Sequence, residues 1–261
     1  MIIETKDVSL KYDSKEIVKD LNITIKKGEI VSIIGPNGCG KSTILKSLSR
    51  YLKPSNGKIF LDGEDIQKID NKKAAKKIAI LPQVRNVPND FTVETLVSYG
   101  RYPHLGFGNR LRKKDFEIID WAINKTGMDN LKTRTVGTLS GGEQQRAWIA
   151  MALAQKPEVL ILDEPTTFLD ISYQLEILEL VKELNRTLNL TIIMVLHDIN
   201  QAIRYSHTIY VIKEGNVYGY GDAKELIDLE LLKNVFRIDA DALEDRTNGC
   251  PYYIPQKMTS R

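Results

Sequence analysis

Eight residues, Gly35-Pro36-Asn37-Gly38-Cys39-Gly40-Lys41-Ser42, constrain the fold of this chain more than any others. They follow a short apolar run, Glu29 to Ile34, and precede a helical pattern over Lys41 to Leu52 that stops before Pro54. A glycine-rich turn between a buried strand and a helix is the pattern of a phosphate-wrapping P-loop. Its glycines let backbone N–H groups face the phosphates, and the helix N-terminus adds a favourable dipole. Lys41 is expected to reach the β- and γ-phosphates of a nucleotide, and the Ser42 hydroxyl to hold Mg²⁺. Such a loop commits its surroundings to α/β structure.

The rest of the chain fits that commitment. Ile2 to Ile34 reads as strands, with a Lys27-Gly28 turn. A strand around Gly57 to Gly63, a helix over Lys72 to Lys77 and a strand over Ile78 to Leu81 follow. From Pro82 to Thr138 the pattern turns helical, clearest at Val93 to Tyr99 and Phe116 to Lys125, with a Gly/Pro/Arg-rich loop from Gly100 to Arg112 between them. Gly141 to Gln155 is expected as one helix. Strands and helices then alternate: Val159 to Leu162, Leu175 to Leu188, Thr191 to Leu196 and Ile199 to Tyr205. A hairpin, Ile209 to Tyr220, turns at Glu214-Gly215-Asn216. Alternation of this kind implies a parallel sheet flanked by helices. The expected fold class is therefore α/β: a P-loop NTPase core, residues 1–82 and 157–230, carrying an N-terminal antiparallel β-subdomain. A helical subdomain, 83–156, is inserted in it, and 231–261 form a C-terminal extension.

Two further features bear on chemistry. The apolar run Val159-Leu160-Ile161-Leu162 ends in Asp163-Glu164, placing two acids where α/β sheets hold their ligands. Asp163 is expected to bind Mg²⁺ directly or through water, and Glu164 to orient or deprotonate an attacking water. Between loop and acids lies Leu139-Ser140-Gly141-Gly142-Glu143, a second glycine-rich helix start. Its helix of about fifteen residues, roughly 22 Å long, runs into the Asp163 strand. Both helix N-termini then point in broadly the same direction and cannot clamp one phosphate from opposite sides. A second copy related by a two-fold axis can bring its Ser140 and Gly142 to the γ-phosphate. An ATP-dependent dimer with two composite sites is the expectation.

The bulk numbers set limits. The 261 residues have a net charge of +3 against 37 basic residues, which gives no sign of a nucleic-acid partner. Clusters at Lys72-Lys73 with Lys76-Lys77, and at Arg110 with Arg112-Lys113-Lys114, read as solvated helix faces and loop rims. No signal peptide is expected, and runs such as Ile192 to Leu196 have strand length, far short of a membrane span. Cys39 and Cys250 offer neither a disulfide framework nor a metal spacing, so a reduced, cytosolic chain is expected. Cys39, near Lys41 and a helix start, is expected to have a lowered thiol pKa, with alkylation inhibiting hydrolysis and ATP protecting.

On these motifs the chain resembles the ATPase subunit of an ABC transporter over nearly its whole length. Leu139 to Glu143 matches that family's signature motif; Gly35 to Ser42 and Val159 to Glu164 match its Walker motifs. The resemblance implies contacts to ATP from the loop and Thr43, from Tyr12 stacking on adenine, and from Ser140, Gly141, Gly142 and Asp170 across the dimer. It also implies that Gln83 links Mg²⁺ and the water to the helical subdomain, and that His197 contacts the γ-phosphate. Phe168 departs from the smaller residue many branches have there.

Gly100-Arg101-Tyr102-Pro103-His104 and the tail, Val235-Phe236-Arg237-Ile238-Asp239 and Asn248-Gly249-Cys250-Pro251-Tyr252-Tyr253, look like the branch serving iron-siderophores, haem and cobalamin. The resemblance implies a peripheral subunit at the cytoplasmic face of the cell membrane, energising ferric siderophore uptake through a separate permease. A substrate-binding protein would act indirectly, and haem, cobalamin or another solute stays open as cargo. The competing readings are a non-transport ABC ATPase and a P-loop kinase; the latter leaves the signature motif and His197 unexplained.

Overall fold

The computed structural model describes residues 2–83, 88, 90–106 and 110–259. In chain order the strands are β1 (Ile3–Tyr12), β2 (Lys15–Leu21), β3 (Thr24–Ile25), β4 (Ile30–Ile34), β5 (Asn56–Leu61), β6 (Glu64–Asp65), β7 (Ile78–Leu81), β8 (Val159–Asp163), β9 (Thr191–Val195), β10 (Thr208–Lys213), β11 (Asn216–Asp222), β12 (Ile238–Asp245) and β13 (Cys250–Met258). The main helices are α1 (Lys41–Leu48), α2 (Asn71–Lys77), α3 (Val93–Ser98), α4 (Lys113–Lys125), α5 (Gly141–Ala154), α6 (Ile171–Leu188) and α7 (Ile199–Tyr205). Two compact units result, one of Met1–Lys68 with Ile193–Arg261 and one of Ile69–Ile192.

In the first unit β1 is the spine of an antiparallel sheet of order β2-β1-β5-β6, with β3 also paired to β1. Strand β4 is buried at all five positions and runs parallel to β10, from the pair Thr208–Val31 to Val211–Ile34. The β10–β11 hairpin turns at Glu214 (φ +49°) and Gly215 (φ +80°). Two consecutive positive φ values match the right-handed twist of paired strands. Helix α1 ends at Leu48, four residues before the expected end. Arg50 takes φ +68°, and the Leu52 N–H turns back to the Lys46 carbonyl at 3.0 Å, a left-handed cap that sequence periodicity does not reveal. The tail forms the β12–β13 hairpin. Asn200 of α7 ties it down: its amide donates to the Tyr253 carbonyl at 2.9 Å and accepts from the Tyr253 N–H at 2.8 Å.

In the second unit β7 and β8 run parallel, and α5 packs against α3, α4 and α6. Caps explain two early helix starts. Asp115 accepts from the Arg112 N–H at 3.0 Å, so α4 begins at Lys113 rather than Phe116. Asp170 accepts from the Tyr173 N–H at 3.1 Å, so α6 begins at Ile171 rather than Leu175.

The segment expected as a loop from Gly100 to Arg112 needs a larger correction. Tyr99–His104 is a 3-10 helix that closes the end of α5, while positions 107–109 lie outside the described residues. Buried Arg101 donates to the Ala154 carbonyl at 2.7 Å and to Asp115 at 3.0 Å, and His104 meets the Gln155 carbonyl at 2.8 Å. Orphan carbonyls at a helix C-terminus need such partners. Burial opposes ionisation of Asp115, but the Arg112 N–H and the Arg101 guanidinium outweigh it and hold the carboxyl below its usual range. The stability this contributes is full above about pH 4 and is lost as pH falls through the lowered value. Arg101→Ala is expected to destabilise the protein by about 3 kcal/mol or more in denaturant titration, because Asp115 is left buried and unpaired. A loss below about 1 kcal/mol would show that the pair is dispensable.

Candidate nucleotide site

Strand β4 stays buried to its last residue, and the glycine loop begins directly after Ile34. Gly35 then takes φ +151°, and an added Cβ would meet the Ile212 carbonyl oxygen at 2.1 Å. Gly40, at φ +105°, starts α1. Neither position has room for a larger residue, since a Cβ at Gly40 would meet the Val18 side chain at 2.8 Å. Lys41 is 6% exposed, and its ammonium donates to the Gly35 and Pro36 carbonyls at 2.8 and 2.9 Å. Its charge is therefore held inside the arc formed by Gly35 to Gly40. Thr43 is buried and Ser42 half-buried behind it. Tyr12, at the end of β1, is 42% exposed, with the Lys46 ammonium 5.8 Å from its ring centre. His197 lies exposed between β9 and α7, just before the Asp198 cap.

Cys39 overturns one expectation. It is 6% exposed, and burial pushes its thiol pKa up, outweighing the opposing pull of Lys41, whose Nζ is 4.0 Å from Sγ. Desolvation is the larger effect here, ahead of the adjacent cation.

The acids and the second glycine motif belong to the other unit. Strand β8 is buried throughout, and Asp163 at its end is 6% exposed. Glu164 follows at φ +54°. Its Oε2 accepts from Gln83 Nε2 at 2.5 Å and from Thr167 Oγ1 at 3.0 Å. Gln83, Glu164, Thr167 and Gly141 line one cavity of about 190 Å³, with Trp148 and Phe168 among its other walls. Of the expected residues in this unit, Gln83 and Glu164 thus meet directly. Thr167 escaped sequence reasoning; its only signal was the three-residue spacing from Glu164 that a turn requires.

Ser140 caps α5. Its hydroxyl accepts from the Glu143 N–H at 3.4 Å while the Glu143 carboxylate accepts from the Ser140 N–H at 2.8 Å. That N–H, first among several donors and cations, holds the Glu143 carboxyl below its usual range. Gly142 has a packing duty as well: a Cβ there would meet the Tyr173 ring at 2.3 Å. Asp170 caps α6, and the Tyr173 N–H is the main reason its carboxyl is also lowered.

Mg²⁺ takes hard oxygen ligands, and the Ser42 hydroxyl, Asp163 carboxylate and Gln83 amide oxygen are of that kind. Among the described residues no cluster of three His, Cys, Asp or Glu could hold a metal by itself.

Two outcomes are expected from this geometry. Cys39 and Cys250, both buried with raised thiol pKa, should label with a maleimide at pH 7 at least about tenfold more slowly in the native state than in denaturant. Fast native labelling would contradict the burial. Gly142→Ala should lower thermal stability through the Tyr173 clash, and Tyr173→Ala in the same chain should relieve it; additive losses would exclude that contact as the cause.

The family model for the ABC transporter matches residues 18–167. The iron(3+)-hydroxamate import ATP-binding protein FhuC of Bacillus subtilis (strain 168) is 50% identical over 248 residues, 94% of this chain and 92% of the relative. The ferric enterobactin transport ATP-binding protein FepC of Escherichia coli (strain K12) is 43% identical over 255 residues, 98% and 94% of the two chains. Among solved structures, the dimeric structure of MJ0796, a bacterial ABC transporter cassette, superposes with a TM-score of 0.74 at 30% identity, covering 85% of this chain and 99% of that one. The glycine loop after a buried strand, the acid pair ending another and the glycine-started helix α5 all occur here in an α/β P-loop NTPase fold, and the chain belongs to the ABC transporter family.

Proposed function

We propose that this chain is the ATP-hydrolysing subunit of an importer that takes up ferric siderophores through a separate membrane permease. For the chemistry, the observation that carries the reading is Glu164 at the end of buried β8, its carboxylate held by Gln83. For the cargo, it is the nearly full-length likeness to the hydroxamate and enterobactin import proteins.

The residue roles follow from chemistry. Loop N–H groups from Gly35 to Gly40 and the Lys41 ammonium bind the ATP phosphates, with Tyr12 against the adenine. Lys41 must exchange its two carbonyl partners for phosphate oxygens, stronger acceptors for an ammonium. Ser42, Asp163 and Gln83 would hold Mg²⁺, which when bound neutralises phosphate charge. Glu164 accepts a proton from the attacking water, and His197 orients the γ-phosphate.

The site is completed by a second copy, whose Ser140, Gly142 and Asp170 reach the nucleotide from the opposite side. Phe168 and Ile171, which flank Asp170, are 93% and 77% exposed, an apolar surface that suits burial against that copy. Among the described residues no helix is long and apolar enough to cross a membrane. The subunit acts at the cytoplasmic face, with a binding protein delivering the siderophore on the other side. Residues 83–156 transmit closure from Gln83 to the permease, and 231–261 form an extension of the core.

Glu164→Gln should keep ATP binding, lose turnover and accumulate as a closed dimer on size exclusion with ATP; retained hydrolysis would refute the role of Glu164. Isolation with the membrane partner, followed by identification of the co-purifying solute, tests the cargo. Recovery of haem or cobalamin would displace the siderophore.

A further inference from the structure

Glu164 has a left-handed backbone, φ +54°, unusual for a residue with a Cβ and locally strained. A carboxylate on such a backbone still has its side-chain torsions to settle. Here two donors, Gln83 Nε2 at 2.5 Å and Thr167 Oγ1 at 3.0 Å, converge on the same oxygen, Oε2.

The donors differ in kind. Gln83 is exposed and lies 81 residues away in sequence, and the proposed function gives it a second duty toward Mg²⁺ and the helical residues. Its contact with Glu164 can break whenever those residues move. Thr167 cannot leave in that way. Its own N–H donates to the Glu164 carbonyl at 3.3 Å, so one turn holds both the backbone and the carboxylate of Glu164.

Packing does not explain a threonine at this position. Thr166, its neighbour, is 8% exposed and belongs to the core. Thr167 is half-buried and lines the cavity that Glu164, Gln83 and Gly141 also face. A hydroxyl donating to a carboxylate is among the stronger hydrogen bonds and fixes direction as well as position.

We propose that Thr167 is a positioning residue for ATP hydrolysis, holding the Glu164 carboxylate in the orientation from which it takes a proton from water. The inference rests on the reading of Glu164 as general base. In that step the water O–H bond breaks toward Glu164 and the oxygen bonds to the γ-phosphorus. The bridging oxygen–γ-phosphorus bond breaks as ADP leaves, and the proton then passes to the products or to solvent. A base free to rotate spends less time in the productive geometry, and the loss falls on the chemical step rather than on ATP binding.

The experiment compares the full-length wild type with Thr167→Val, Thr167→Ser and Glu164→Gln in steady-state ATP hydrolysis, with ATP affinity and thermal midpoint measured alongside. Valine keeps the shape of threonine and removes the donor; serine keeps the donor. Thr167→Val is expected to lower kcat about tenfold with KM for ATP changed less than about twofold, and Thr167→Ser to restore most of the rate. Wild-type kcat in Thr167→Val, or an equal loss in Thr167→Ser, overturns the proposal while an inactive Glu164→Gln leaves the base assignment standing. An active Glu164→Gln removes the base assignment and this inference with it. A fall in affinity or thermal midpoint that tracks the rate assigns Thr167 a structural role and overturns the proposal too.

Discussion

A strand buried on both faces can carry a polar side chain only where a partner satisfies it, as Ser206 does for Ser32 of β4 at 2.6 Å, and that constraint organises this molecule. Strands β4 and β8 are each buried at all five positions. The polar chemistry open to a ligand lies at their carboxyl ends, where β4 runs into Gly35 and β8 ends at Asp163. Burying an unpaired polar group costs several kcal/mol, so the core excludes such groups and the strand ends collect them. Much of the site chemistry is thus a by-product of how the core is built.

At the start of each helix in the site, one residue serves both the element and the proposed chemistry. Ser140 caps α5, Asp170 caps α6, and Gly142 lets α5 approach Tyr173. Lys41 lies along the loop it belongs to, bonded to its carbonyls. Groups tied to their own backbone in this way lose little further freedom when they meet a ligand, which is the physical content of preorganisation. Glu164 is held by the same means: a left-handed backbone, with donors from its own turn and from Gln83.

The glycine loop, the acid pair and the glycine-started helix are local patterns, and each lies at the strand end or helix start its spacing implies, because their physics is local. A glycine loop needs positive φ, and an acid pair needs a strand end. Helix ends were less legible. The left-handed turn at Arg50 shortens α1, and the caps at Arg112 and Asp170 lengthen α4 and α6 beyond their apolar periodicity. Gly100 to His104 read as loop because its role is non-local: Arg101 closes the end of α5, more than fifty residues onward. Cys39 was misjudged for a similar reason, since its desolvation is set by the folded surroundings and outweighs the pull of the adjacent lysine.

By itself the sequence determined the phosphate loop, the acid pair, the glycine-started helix and the alternation that makes the fold α/β, each a matter of residue type and spacing. Only the tertiary structure decided that the Gln83 amide meets the Glu164 carboxylate, that Thr167 shares the same oxygen, and that Gly142 is demanded by an aromatic ring. It also decided that the Cys39 thiol is suppressed. These facts depend on which groups come within 3 or 4 Å after folding, and on how much water they lose there, and no spacing along the chain encodes either quantity.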